Sequence, residues 1–209
     1  MVFLLNDDLE FPDPSLADDD GLLAIGGDLT ADRLIKAYSL GIFPWFSEDE
    51  PILWFCPPER CVIFPEKIKI SKSMKTIINS KKWAVTVNKA FNEVIVACSK
   101  VPRKDQDGTW ITDDMINAYK NLNQLGKALS IEVWENDVLI GGLYGVISNS
   151  VFCGESMFSK KSNASKMALI YLCKQLNFKL IDCQIPNDHL ISMGAEIINY
   201  NEFKKFLDA

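Results

Sequence analysis

The sequence has a single histidine, His189, and no Cys-x-x-Cys pair among its six cysteines. Zinc draws three or four Cys or His ligands at close spacing, so no metal centre is expected. A Ser-His-Asp or Cys-His catalytic set would have to use His189 as its base. No run of 18 apolar residues occurs, so no membrane-spanning helix is expected. The opening residues, Met1 to Asp8, lack the basic start and long apolar stretch of an export signal. A cytoplasmic location with free, mostly buried thiols follows as the expectation. Internal repeats and low-complexity tracts are missing too.

What is present suits a folded chain. Its 209 residues are 48% hydrophobic and 24% charged, enough for one medium domain or a small lobe joined to a larger one. The net charge of −6 is unevenly spread. Residues 1–60 hold 13 acidic and 3 basic side chains, a balance of −10; residues 61–209 hold 15 and 19, a balance of +4. A polyanionic partner is therefore compatible with the second part, because fields act locally. Prolines 12, 14, 44, 51, 57, 58 and 65 crowd the first third, which predicts a loop-rich segment with short elements. Two domains are expected, residues 1–62 and 63–209.

Periodicity and capping residues predict the elements. One helix is expected from Thr30 to Leu40, closed by Gly41, and another over Ser71 to Asn79. A strand at Val85 to Val87 leads to Asn88, the expected cap of a helix with Phe91, Val94, Ile95 and Cys98 on one face. Thr112 caps the next, with Asp113 and Asp114 in its first turn and Gly126 at its end. Three strands follow, starting near Leu129, Val138 and Val151 and separated by Asn136-Asp137 and Asn149-Ser150 turns. A helix from about Asn163 to Leu176, the strand Leu180 to Gln184, a short helix near His189, a strand at Ala195 to Ile198 and a last helix complete the chain. The order β-β-β-α-β-α-β is that of the N-acetyltransferase (GNAT) sheet. The expected class is α+β: a small loop-rich N-terminal domain, then a GNAT-like mixed sheet with flanking helices.

Three stretches carry chemistry. Gly108-Thr109-Trp110-Ile111-Thr112 sets a large aromatic before a helix start. Phe152 to Phe158 is an apolar strand interrupted by Glu155, and Ile181-Asp182-Cys183-Gln184 holds a second embedded carboxylate. Carboxylates in apolar strands need partners. They read either as a hydrogen-bonded network between strands or as the polar edge of an apolar ligand pocket. Strict alternation would send Asp182 and Gln184 to one side and Cys183 to the other.

Nine stretches, in order along nearly the whole chain, resemble the leucyl/phenylalanyl-tRNA–protein transferases. They include Phe11 to Pro14, Gly21 to Leu29, Ala37 to Phe46, Gly108 to Thr112, Gly141 to Gly145, Gly154 to Ser159, Asn163 to Lys166, Asp182 to Gln184, and His189-Leu190. The resemblance implies a cytoplasmic aminoacyltransferase without metal or diffusible cofactor. It would move Leu or Phe, sometimes Met, from aminoacyl-tRNA onto proteins beginning with Arg or Lys, marking them for degradation. It places Trp45 and Trp110 around the terminal adenosine and its amino acid, and Glu155, with Ser156, in the pocket. By the same analogy Asp182 and Gln184 receive or orient the acceptor amine and relay its proton. Lys72, Lys75, Lys81 and Lys82 match a basic tRNA-binding segment. The chain departs from the family at Asn123 and Leu129, commonly histidine, at Trp54-Phe55-Cys56-Pro57, and at Tyr200, commonly arginine.

The residues agree with this chemistry. An aminoacyl ester is already activated, so aminolysis needs no enzyme nucleophile. It needs an uncharged amine, whose pKa is about 7.7–8.0 in the free state, held against the carbonyl. Leu143, Met157 and Ile181 are candidate walls for an apolar side chain, and Met adapts to several shapes. A base stacking on tryptophan gains about 1–3 kcal/mol. Lys160, Lys161 and Lys166 form a second basic group at a helix start. Ser159 to Ser165 there lacks the glycines of a pyrophosphate loop, which disfavours coenzyme A. A monomer is expected. The other readings are a non-catalytic tRNA- or degron-binding module, and a thiol hydrolase built on Cys183 and His189.

Overall fold

Short, proline-broken apolar stretches build the first sheet. The computed structural model describes residues 2–101 and 110–209; Gly108 and Thr109 of the Trp110 motif lie outside the described residues. Strands β1 (Phe3–Leu5), β2 (Leu22–Gly26), β3 (Phe43–Pro44) and β4 (Leu53–Phe55) form a four-stranded sheet in the order β1-β2-β4-β3. Helix α1 (Ala31–Ser39) links β2 to β3. Thr30 occupies its N-cap position without a side-chain cap bond; Asp28 instead accepts from the Thr30 backbone amide and hydroxyl. Strand β5 (Glu59–Ile63) then leaves this sheet for the larger one.

The larger sheet is built from longer runs of β-branched and aromatic residues. After β5 come α2 (Lys72–Ser80), β6 (Ala84–Val87), α3 (Phe91–Ser99) and α4 (Asp113–Gln124). The meander β7 (Ala128–Glu135), β8 (Val138–Ser148) and β9 (Val151–Ser159) leads to α5 (Ala164–Gln175), β10 (Leu180–Gln184), α6 (Asp188–Ser192), β11 (Glu196–Asn199) and α7 (Tyr200–Leu207). The seven strands run in the order β11-β5-β10-β9-β8-β7-β6, and β9 with β10 is the parallel pair. From β7 onward this is the expected β-β-β-α-β-α-β order on a GNAT-like mixed sheet with helices on both faces. Asn136 and Asp137 both take left-handed φ, 48° and 61°, the geometry of a tight two-residue hairpin.

Two apolar layers clothe the sheet. On one face Val62, Val146, Val151, Cys153 and Leu180 pack with α3, α4 and the N-terminal residues Leu23, Leu34 and Trp54. On the other, Ile131, Val133, Leu143, Phe152 and Ile181 pack with Met74 of α2 and Met167 and Leu172 of α5. Ser71 and Thr112 cap α2 and α4 through their side chains, as their types predict. Asn88 does not cap α3. It takes φ +56° and accepts from Asn123, while Ala90 holds the N-cap position. The buried carboxylate of Glu132 on β7 accepts from the Lys89 and Ala90 amides just before the helix, which holds the turn into α3 without capping it.

Candidate active site

Two neighbouring strands come apart and leave a cavity between them. The β9–β10 ladder ends at Cys153 opposite Asp182. Each strand then carries a bulge. On β9, Tyr144 and Gly145 of β8 pair with Ser156 and Gly154, leaving Glu155 as the extra residue. On β10, Val62 and Cys61 of β5 pair with Asp182 and Gln184, leaving Cys183 as the extra one, and Gln184 takes φ +61°. Bulges re-aim side chains, and these two turn Glu155, Cys183 and Gln184 toward the gap. Gly145 makes the first possible, because a Cβ there would sit 2.2 Å from the Cys153 carbonyl oxygen.

The gap is a cavity of about 610 Å³. Its walls include Leu143, Phe152, Met157, Leu169, Leu172 and Ile181, and its polar edge includes Glu155, Ser156, Gln184 and His189. A second recess of about 210 Å³ is lined by Phe43, Pro44, Trp45, Trp110 and Ile185 together with Glu155, Cys183 and Gln184. Those last three residues are common to both spaces. The expected pocket residues Leu143, Glu155, Ser156, Met157 and Ile181 thus lie around the first space, and Trp45 and Trp110 around the second. Gln184 joins them.

Asp182 lies behind this wall and lines neither space. It is fully buried, and its Oδ1 and Oδ2 accept from Arg60 Nε and Nη2 at 3.0 and 3.1 Å. Oδ1 also accepts from the Gln184 backbone amide at 2.8 Å, which fixes the bulge. Arg60 is equally buried, lies between the rings of Phe43 and Phe203, and donates to the Gly41 carbonyl. Burial opposes its charge, but the Asp182 carboxylate outweighs that and raises its pKa. The strand therefore does not alternate as expected, because the bulge separates Asp182 from Gln184 and brings Cys183 into the cavity wall.

Glu155 is the most connected group at the shared edge. Gln184 Nε2 donates to its Oε1 at 2.9 Å and the Tyr119 hydroxyl to its Oε2 at 3.0 Å. Tyr38 and Tyr119 share a hydrogen bond of 2.5 Å. Burial pushes the Glu155 carboxyl up to about 7, against the lowering effect of its hydrogen bonds to Tyr38, Tyr119 and Gln184. Both tyrosines are pushed well above their usual range, first by burial and then by the Glu155 charge. Arg60, Tyr38 and Tyr119 were not among the residues expected from sequence. Each is an ordinary core or surface type until its partner, far away in the chain, is known.

Cys183 and His189 both line the larger cavity. The Cys183 thiol is pushed up, most strongly by its hydrogen bond with Cys61 and then by burial, which disfavours a thiolate nucleophile. Burial, aided by Lys166, lowers the His189 pKa.

The lysines form two exposed groups. Lys72 and Lys75 lie on α2, and Lys81 and Lys82 just after it, all exposed. Glu135 binds Lys82 at 2.8 Å and also pairs with Lys161, so it ties the end of this group to the start of α5; those two lysines hold its carboxyl down to about 2. At the positions of departure, Asn123 donates to the Ala128 carbonyl and Tyr200 to the Leu40 carbonyl.

Comparison with known proteins covers the whole chain. A family model described as "Leucyl/phenylalanyl-tRNA protein transferase" matches residues 62–208, and one for that family's N-terminal domain matches residues 27–58. Proteins named leucyl/phenylalanyl-tRNA–protein transferase from Flavobacterium psychrophilum and Flavobacterium johnsoniae are 55% and 53% identical, each over 99% of this chain and 99% of the other. Among solved structures, a GCN5-related N-acetyltransferase from Kribbella flavida aligns with 77% of this chain and 58% of that one, at 9% identity and a TM-score of 0.39.

Proposed function

The chain belongs to the leucyl/phenylalanyl-tRNA–protein transferase family, an aminoacyltransferase family, and on that premise we propose how its cavity serves the reaction. The enzyme takes Leu or Phe, with Met tolerated, from the 3′ end of aminoacyl-tRNA and joins it to the N-terminal Arg or Lys of an acceptor protein. The product enters N-terminal-residue-dependent degradation. Action as a cytoplasmic monomer is part of this reading.

One observation carries it: an apolar cavity meets a tryptophan-walled recess across a polar edge shared by Glu155 and Gln184. An esterified nucleoside needs that combination. The Leu or Phe side chain lies among Leu143, Met157 and Ile181, and Ser156 offers a hydroxyl at the rim. The terminal adenine stacks in the recess of Trp45 and Trp110, and the ester carbonyl then falls at the shared edge. Similar apolar side chains differ by only about 1–3 kcal/mol in such a pocket, which accounts for tolerance. Gln184 orients the acceptor amine at the carbonyl. Asp182 serves catalysis through Gln184, whose backbone it fixes. Lys72, Lys75, Lys81 and Lys82 hold phosphates of the tRNA body, which suits acceptance of several tRNA sequences. In this reading residues 1–62 supply the Trp45 wall and the Arg60 brace, and residues 63–209 supply the rest.

The test is to offer the chain Leu-tRNA and an Arg-starting peptide, and to weigh the product by mass spectrometry. The proposal expects a peptide longer by one leucine, and no extension of an Asp-starting control. An unextended Arg-starting peptide would refute it.

A further inference from the structure

The reaction must move one proton. When the amine nitrogen bonds to the ester carbon, it carries a hydrogen it must lose, and the ribose oxygen that departs must gain one. A carboxylate beside the reacting carbon can do both in turn. Asp182 is poorly placed for this, since it lines neither space and is paired with the buried Arg60 cation. Glu155 is well placed, because it borders both spaces and is held by Gln184 on one oxygen and Tyr119 on the other.

We propose that Glu155 is the proton-carrying catalytic residue of the transfer, and that Tyr119 and Tyr38 are positioning residues that form a buried hydrogen-bonded chain behind it. This rests on the aminoacyl-transfer reading given above. In the step, the uncharged amine attacks and the N–C bond forms. Glu155 takes the proton from that nitrogen, the C–O bond to the ribose breaks, and Glu155 returns the proton to the leaving oxygen. The carboxylate ends as it began and the amine's proton leaves on the ribose hydroxyl, so no co-reactant is consumed.

The surroundings suit a carboxylate that changes charge during turnover. Tyr38 on α1 and Tyr119 on α4 face it from one side, with the Tyr144 ring of β8 against Tyr119. Cys153 stands two residues before it on β9. From β10 it meets Gln184, Cys183 and, behind them, Asp182 paired to Arg60 of β5. Gln184 and Tyr119 are fixed donors that stabilise the ionised form. Burial favours the protonated form, so the two balance near neutrality.

Single-turnover transfer from Leu-tRNA, measured across pH with acceptor peptides of different α-amine pKa, tests the assignment. E155Q should lower the rate about a hundredfold or more while aminoacyl-tRNA affinity stays within about twofold. The wild type should show an acidic limb that stays fixed when the acceptor amine is changed. Y119F removes a donor to the carboxylate, so this limb should move to higher pH by about one unit. Both substitutions preserve shape, and retained affinity for aminoacyl-tRNA reports an intact fold. A fully active E155Q, equal losses of rate and affinity, or a limb that follows the acceptor amine would overturn the proton role. No transfer by the wild type would instead overturn the reaction itself.

Discussion

Replacing Asp182 with alanine leaves Arg60 as a cation buried between Phe43 and Phe203 without its carboxylate partner. Breaking a buried ion pair in this way costs about 3–5 kcal/mol. The Gln184 amide also loses its acceptor, which adds about 0.5–1.5 kcal/mol, reduced by the part-exposure of that residue. A total near 4 kcal/mol is a large share of the roughly 5–15 kcal/mol that a domain possesses. With a urea slope of about 2.5 kcal/mol/M, the midpoint should fall by roughly 1.5 M. The double substitution R60M/D182L removes both charges, and its midpoint should return to within about 1 M of wild type. Transfer should stay at least tenfold down in D182A and in the double variant, because neither fixes the Gln184 bulge, while aminoacyl-tRNA binding persists. Urea unfolding followed by tryptophan fluorescence gives the stabilities, and peptide extension gives the rates. A D182A protein that unfolds like wild type would falsify the brace, and a fully active double variant would separate Asp182 from catalysis.

Glu155 should make stability depend on pH in a defined direction. Its pKa is raised in the folded state, so the native protein binds the proton more tightly than the unfolded chain does. Stability is therefore highest below the unfolded value of about 4.3 and declines as pH rises to about 7, by roughly 3–4 kcal/mol in all. E155Q should lack that decline and be the more stable protein at pH 8; parallel curves for the two proteins would contradict this. Reversing the charges of Lys72 and Lys75 should raise the apparent KM for tRNA and flatten its salt dependence by about two phosphate contacts. An unchanged salt slope would place the RNA footprint on another face.

Much of the fold was legible because local chemistry decided it. Asn136-Asp137 demanded a tight hairpin, Ser71 and Thr112 capped the helices they precede, and the patterns after Gly126 gave the succession of elements from β7 onward. The site was legible in part. Glu155 stood out as a carboxylate in an apolar strand, yet its direction depends on a bulge that pairing with β8 creates. Alternation misled at Asp182 to Gln184 for the same reason: register against β5 shifts there. Arg60 gave no signal, since its partner lies 122 residues on. Tyr38 and Tyr119 meet across 81 residues, a contact that only the packing of α1 on α4 brings about. Asn88 was a reasonable cap by type, but α3 starts two residues later than that expectation needs, after a turn held by Glu132 from a strand laid beside it by the tertiary fold.

The most direct test is a crystal structure with an amide-linked phenylalanyl-adenosine, which cannot be hydrolysed. The account predicts the phenyl ring among Leu143, Met157 and Ile181, the adenine in the recess of Trp45 and Trp110, and the carbonyl beside Glu155 and Gln184. A ligand seated elsewhere, with the space between β9 and β10 still closed to it, would contradict the account at its centre.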